Sequence, residues 1–414
     1  MNLEHLDFFR NQISFYRDSS RVYFDSTSFT LVNDRVLDSV DNFYKSGGTR
    51  PTTGLYPGTA LATTTIESCR ELLKELFSVQ KGEIVFPLSR GIGLNQILYS
   101  LSLIQPTAIF AYTGLDHDCW LPVFEFAKQK NISFYPVSVQ NTEIELLSNL
   151  NLLFEKPAEQ QFVLILPLHS LGNGLFLSKD FFQKITSNHN VITIVDCSFA
   201  AGVSEINLSD LTIDFAVFDS NIGLGGPIGS SIMYINDSHV ELMRPFTFLG
   251  NGSISKVTES SYGFEDMPQR LESGINPSVM AGLQVALTIL KEISLATISE
   301  HINTLKNLFL EQSKTINGLI LTGSYSQDQF TNIIGLLIPE VNMHEIAMYL
   351  DEVCQIDVRT GSFCAHQLID QLYANLNLDH SNLGILQVSF HYYNTEAEIE
   401  KLFDGIREFL NIFK

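Results

Sequence analysis

Short, mainly apolar runs recur at Glu83–Phe86, Ala108–Tyr112, Phe162–Leu166, Val191–Val195, Phe215–Phe218 and Ser231–Ile235, with longer segments of mixed polarity between them. Apolar runs without a period-two alternation predict strands buried on both faces, and helix-length spacers predict crossover connections. The pattern therefore predicts an α/β chain built on a mostly parallel sheet. The first five runs end in polar or glycine-bearing turns: Ser89-Arg90-Gly91, Thr113-Gly114-Leu115-Asp116-His117, His169-Ser170-Leu171-Gly172, Asp196-Cys197-Ser198 and Ser220-Asn221-Ile222-Gly223. In open α/β sheets ligands bind beyond the carboxyl ends of the strands, so these turns are expected to line one crevice.

From about Ser278 the pattern changes to a long helical stretch, apolar at Ala281, Val285, Ile289 and Ile293, with mixed helix and strand signals beyond it. This shift predicts a second, smaller lobe that gathers the C-terminal part and the first twenty or so residues. The division expected is a large domain over 22–285 and a small α+β domain from 1–21 with 286–414.

At 414 residues the chain can bury a large core, and its formal net charge of -21 argues against nonspecific binding to nucleic acid or to an anionic membrane. Met1-Asn2-Leu3-Glu4-His5 opens without an apolar leader, and no apolar run approaches the roughly 18 residues that span a bilayer, so a cytoplasmic protein is expected. Cys69, Cys119, Cys197, Cys354 and Cys364 are scattered and include no C-x-x-C pair, which fits a reducing compartment and predicts no metal site.

Several segments, in chain order, resemble the class V aminotransferase and cysteine desulfurase family. Tyr23-Phe24-Asp25-Ser26-Thr27-Ser28-Phe29-Thr30 is similar to the family's opening segment. Asp116-His117 with Trp120-Leu121-Pro122 resembles the turn whose histidine stacks on pyridoxal phosphate (PLP), and Asp196-Cys197-Ser198-Phe199-Ala200-Ala201 resembles the turn whose aspartate pairs with the ring nitrogen. Glu272-Ser273-Gly274, Arg359-Thr360-Gly361-Ser362-Phe363-Cys364-Ala365 and Tyr393-Asn394-Thr395-Glu396 resemble its later motifs. The resemblance implies a fold type I PLP-transferase-like architecture, with a mostly parallel seven-stranded sheet between helices and a smaller α+β C-terminal domain. It also implies a homodimer and a small amino acid or carboxylate ligand.

The same resemblance puts Gly223 where the family carries the lysine that holds PLP as a Schiff base. It further puts Ile222, Phe199, Leu171 and Ile275 where polar contacts to the cofactor are expected, and Ser89-Arg90-Gly91 in place of a Gly-Thr-Thr phosphate cradle. Glycine supplies neither an imine nor a general base, so no covalently bound cofactor is expected; noncovalent PLP stays as an alternative. Lys256 is the nearby candidate to substitute, against its reading as a solvated surface lysine.

The candidate cofactor-site residues are Ser89, Arg90, His117, Asp196 and Ser220, with Arg359 for a substrate carboxylate and Cys364, Asp196 and His117 for chemistry. Each has a plain alternative. Asp196 can cap its own turn, Arg359 can pair with an acidic neighbour, His117 can be a buried histidine satisfied by a carbonyl, and Cys364 can be a small buried hydrophobe. Two function classes follow: a degenerate homologue acting as a binding or regulatory subunit, or an enzyme reusing the crevice. A sulfur relay through Cys364 is a third.

Overall fold

The computed structural model describes residues 3–51, 54–104, 107–112, 120–137, 142–154, 161–187, 190–246, 252–272, 274–326, 329–363, 365–378 and 384–413. Seven strands form the central sheet: β1 (Glu83–Val85), β2 (Ala108–Tyr112), β3 (Ser133–Val137), β4 (Phe162–Pro167), β5 (Val191–Asp196), β6 (Phe215–Asp219) and β7 (Ser231–Ile235). Their order is β1-β7-β6-β5-β4-β2-β3, and only β7 runs against its neighbours. The α/β class and the mostly parallel seven-stranded sheet expected from the sequence are thus present.

Alternation along each strand divides the core into two layers, because successive side chains point to opposite faces. Val163, Ile165, Phe215 and Val217 join Leu94, Ile97 and Trp120 on one face, whereas Leu164, Leu166, Ala216 and Phe218 join the larger cluster on the other. Both faces are covered, which is why these strands read as apolar runs rather than as alternating ones. β3 escapes that pattern: it is an edge strand, largely solvent-facing and interrupted by Pro136, where an edge tolerates the missing N–H.

Helix ends are set by local chemistry. In α1 (Asp34–Lys45) the Asn33 side chain accepts from Arg35 N, and α2 (Pro57–Leu76) starts with proline in its first turn. α3 (Arg90–Leu101) is capped by Ser89, whose Oγ accepts from Ile92 N at 3.3 Å. In α4 (Pro277–Ile293) Asn276 caps a helix that opens on proline, and the predicted apolar stripe packs against α1 and α2. α4 runs unbroken through residue 285, where the sequence pattern suggests that the lobes divide. Among the described residues no single helix is long and apolar enough to cross a membrane.

A second sheet has β8 (Ile320–Leu321), β9 (Ile333–Leu337), β10 (Arg359–Gly361) and β11 (Ile385–Ser389) in the antiparallel order β8-β9-β11-β10. The N-terminal segment lies beside it: Val22–Tyr23 forms a separate parallel pair with Ile356–Asp357, Asp25 makes an isolated bridge to Ser389, and Arg10 bonds Glu398 at 2.6 Å and the Tyr393 carbonyl. The Arg10 contacts tie the N-terminal segment to the C-terminal helix region.

Candidate functional site

The carboxyl ends of β5 and β6 and the start of α3 converge on one buried ion network. Arg90, at the first position of α3, is 4% exposed, and its Nη1 donates to Asp196 Oδ2 at 2.8 Å. Its backbone N–H donates to Asp219 Oδ1 at 3.2 Å. Its Nε lies 3.3 Å from Asp219 Oδ2, an ion-pair distance without hydrogen-bond alignment. One arginine thus serves two carboxylates, and one of those carboxylates takes an N-terminal amide of the helix, where the helix dipole favours negative charge. The guanidinium also lies 5.7 Å from the Phe199 ring centroid.

Asp196 caps its own turn, one of the two readings the sequence left open, and also pairs with Arg90, which neither reading held. Its Oδ1 accepts from Ser198 N at 2.9 Å, capping its own turn, while Oδ2 holds Arg90. Ser89 and Ser220 bond within the backbone. Ser89 caps α3, and Ser220 Oγ, fully buried, donates between the carbonyls of Pro227 and Ser230 at 2.7 Å each. Leu171 is buried, and its carbonyl accepts from Gln387 Nε2 at 2.8 Å, which ties the crevice wall to the second sheet.

Gly223 lies in the loop after β6 with φ +69°, a left-handed conformation that costs a side-chain-bearing residue energy. A Cβ at this position would overlap the Ala201 carbonyl oxygen outright. Both of its backbone groups are taken: Gly223 N donates to Thr30 Oγ1 at 2.8 Å, and its carbonyl accepts from His391 Nε2 at 2.8 Å. Opposite it, Gly202 has φ +79°, and a Cβ there would strike the Gly223 carbonyl. The two turns pack glycine against backbone.

Two fully buried histidines brace this wall. His169 Nδ1 donates to the Phe199 carbonyl at 3.1 Å, which leaves Nε2 to accept from Thr331 Oγ1 at 2.9 Å. His391 stacks on Tyr393, with ring centroids 5.0 Å apart. Burial pushes each imidazole down to about 4, because the charged form would lose its hydration. The sign follows from the unfolded value of about 6.5. Above that pH both states are neutral and stability is complete; as pH falls towards 4 the unfolded chain binds protons that the folded one refuses, and stability is lost. His391→Gln should therefore narrow the gap to wild type by about 2 kcal/mol between pH 7.5 and pH 5, read from urea midpoints. A gap independent of pH would contradict the buried, neutral assignment.

Arg359, on β10, is partly buried, and its guanidinium lies 5.4 Å from the Phe363 ring with no ion pair or hydrogen bond among the described residues. Among the described residues no acidic neighbour pairs with it. Asp25 stands near enough to feel its charge, although burial is the larger influence and raises the Asp25 carboxyl. Lys256 is exposed on a hairpin of Ile254–Val257 and Tyr262–Phe264, as a surface lysine would be. Ile275 lines a cavity of about 470 Å³ beside α2, with Arg50, Thr63, Glu67 and Glu272. His117 and Cys364 lie outside the described residues. Asp219, Thr30 and His391 were given no role from the sequence; Asp219 and His391 follow apolar runs, and Thr30 closes the segment that resembles the family's opening.

The model of aminotransferase class V matches residues 22–402. The chain belongs to this family. A probable cysteine desulfurase of Pyrococcus abyssi is 24% identical over 391 residues, covering 94% of each chain. One of Methanothermobacter thermautotrophicus is 24% identical over 405 residues, covering 96% of each. Among solved structures, the apo cysteine desulfurase of Thermococcus onnurineus superposes with a TM-score of 0.86 at 22% identity over 98% of both chains. A C-DES mutant with glycine covalently linked to its PLP cofactor gives 0.77 at 18% identity, covering 95% of this chain and 98% of that one. At such identities the superpositions establish the class V fold.

Proposed function

We propose that this class V chain performs no lysine-dependent PLP catalysis and acts as a binding or regulatory subunit, as a cytoplasmic homodimer. The reading departs from the desulfurase names of its relatives, and one observation carries it. Gly223, which stands at the family's Schiff-base position by resemblance, sits in a left-handed turn where even a Cβ would overlap the Ala201 carbonyl. A lysine needs that Cβ and a free path to a ring; here the space is backbone. The other residues also fit PLP poorly, since Asp196 already holds Arg90 and Phe199 and Leu171 present apolar surface. No chemical step is therefore routed through the cofactor.

The test is to incubate the purified chain with PLP, reduce it with borohydride and map the peptides by mass. The expected result is no lysine adduct above that of a surface-lysine control protein. A stoichiometric adduct at any single lysine, Lys256 included, would sink the reading.

A second reading, an enzyme or binder acting on an amino acid or related carboxylate, is favoured by Arg359. A partly buried guanidinium with no ion pair among the described residues is suited to a bidentate carboxylate. Calorimetric titration with amino acids separates the two readings: saturable binding lost in Arg359→Ala supports the second, and equal binding by the variant removes it. The sulfur-relay reading rests on Cys364 and would require a persulfide there after incubation with an active desulfurase.

A further inference from the structure

The ion network at the start of α3 contains two groups that a phosphorylated, cationic ring would otherwise engage: a buried carboxylate at the end of β5 and the N-terminal amides of a helix. Helix N-termini favour phosphate because their N–H groups lack intrahelical partners, and a carboxylate in a dry site calls for a cation. Both demands are met from within the chain. Arg90 Nη1 gives Asp196 its cation at 2.8 Å, and Asp219 Oδ1 takes the Arg90 amide at 3.2 Å. Arg90 is 4% exposed and Asp196 3%, so the pair is closed to solvent.

We infer that Arg90 and Asp219 are a resident substitute for a phosphorylated pyridine: the arginine neutralises Asp196, and Asp219 occupies the helix terminus. The inference rests on the proposed loss of a lysine-bound cofactor but goes further, because it closes the crevice to noncovalent PLP as well. A phosphopyridine would have to displace a buried Arg–Asp pair and leave an uncompensated charge behind, a loss that its own two contacts only replace. The site is self-satisfied. Arg90 is accordingly a positioning residue, holding two strand ends and a helix start together through charge.

The binding test uses pyridoxamine 5′-phosphate, which has no aldehyde and cannot form an imine with any lysine. Its result is therefore independent of the borohydride experiment. Wild type is expected to give no saturable signal in calorimetry up to about a hundredfold above the micromolar range typical of a small-molecule site. Saturable micromolar binding by the wild-type chain would overturn the inference even if no lysine adduct forms.

The second measurement follows the charge role. Arg90→Gln leaves the Asp196 and Asp219 carboxylates without their shared cation, and protonation relieves the like-charge repulsion. Its thermal midpoint should lie below wild type at pH 8, and the gap should at least halve at pH 5. The buried histidines are common to both proteins and cancel in the comparison. Arg90→Lys, which keeps the charge, should recover part of the pH 8 deficit and covers the case in which the glutamine variant fails to fold. A gap of equal size at both pH values, or a lysine variant no better than glutamine, would reduce Arg90 to ordinary packing and overturn the proposal.

Discussion

Lysine placed at position 223 should destabilise the protein by about 3 kcal/mol or more and should not create a Schiff-base anchor. Two independent costs add. A residue with a Cβ at φ +69° accepts backbone strain of about 1–3 kcal/mol, and the overlap with the Ala201 carbonyl then forces the 200–202 turn to move. The loop carrying position 223 cannot retreat instead, because the Gly223 amide and carbonyl are held by Thr30 and His391. Gly223→Ala carries both costs without the long side chain and separates backbone strain from the effects of charge. Urea unfolding of the two variants checks the expectation. An alanine variant within about 0.5 kcal/mol of wild type would mean that the turn accommodates a side chain, and the main support for the proposed function would go with it.

The contrast between what was legible and what was not follows from the range of the interactions. The strands of the central sheet read clearly because burial on both faces keeps β2, β4, β5, β6 and β7 mainly apolar. α4 read clearly because one apolar stripe faces α1 and α2. β3 did not, since an edge strand with Pro136 and exposed positions has no apolar run to mark it. In the site, the sequence singled out Arg90 and Asp196 as separate candidates, and Arg90 as an anion ligand. That the two bind each other depends on β5 and α3 meeting across 106 residues of chain. His391 is further still, 168 residues from Gly223, and a histidine after an apolar strand carries no local mark of a carbonyl partner so distant along the chain. Resemblance located the crevice; only geometry showed that Arg90 and Asp196 bind each other there.

Removing the carboxylate of Glu272 should cost about 3–5 kcal/mol, because it strands a buried arginine. Arg70 Nη1 and Nη2 bond the two Glu272 oxygens at 2.9 Å and 3.0 Å, with the side chains 3% and 4% exposed. Phe86 N donates to the same carboxylate at 3.1 Å, and Arg70 also bonds the Ile84 carbonyl. The pair therefore clamps β1 at the point where the chain turns towards Ser89 and Arg90, so the ion network at α3 is built on it. Glu67, about half exposed, stays within 3.1 Å of Arg70 and compensates only in part. Glu272→Ala should lower the urea midpoint sharply, whereas Arg70→Met with Glu272→Leu, which removes both charges and keeps the volume, should recover most of the loss. If the double variant is as unstable as Glu272→Ala, the charges are not what holds β1, and the hydrogen bonds to Phe86 and Ile84 are.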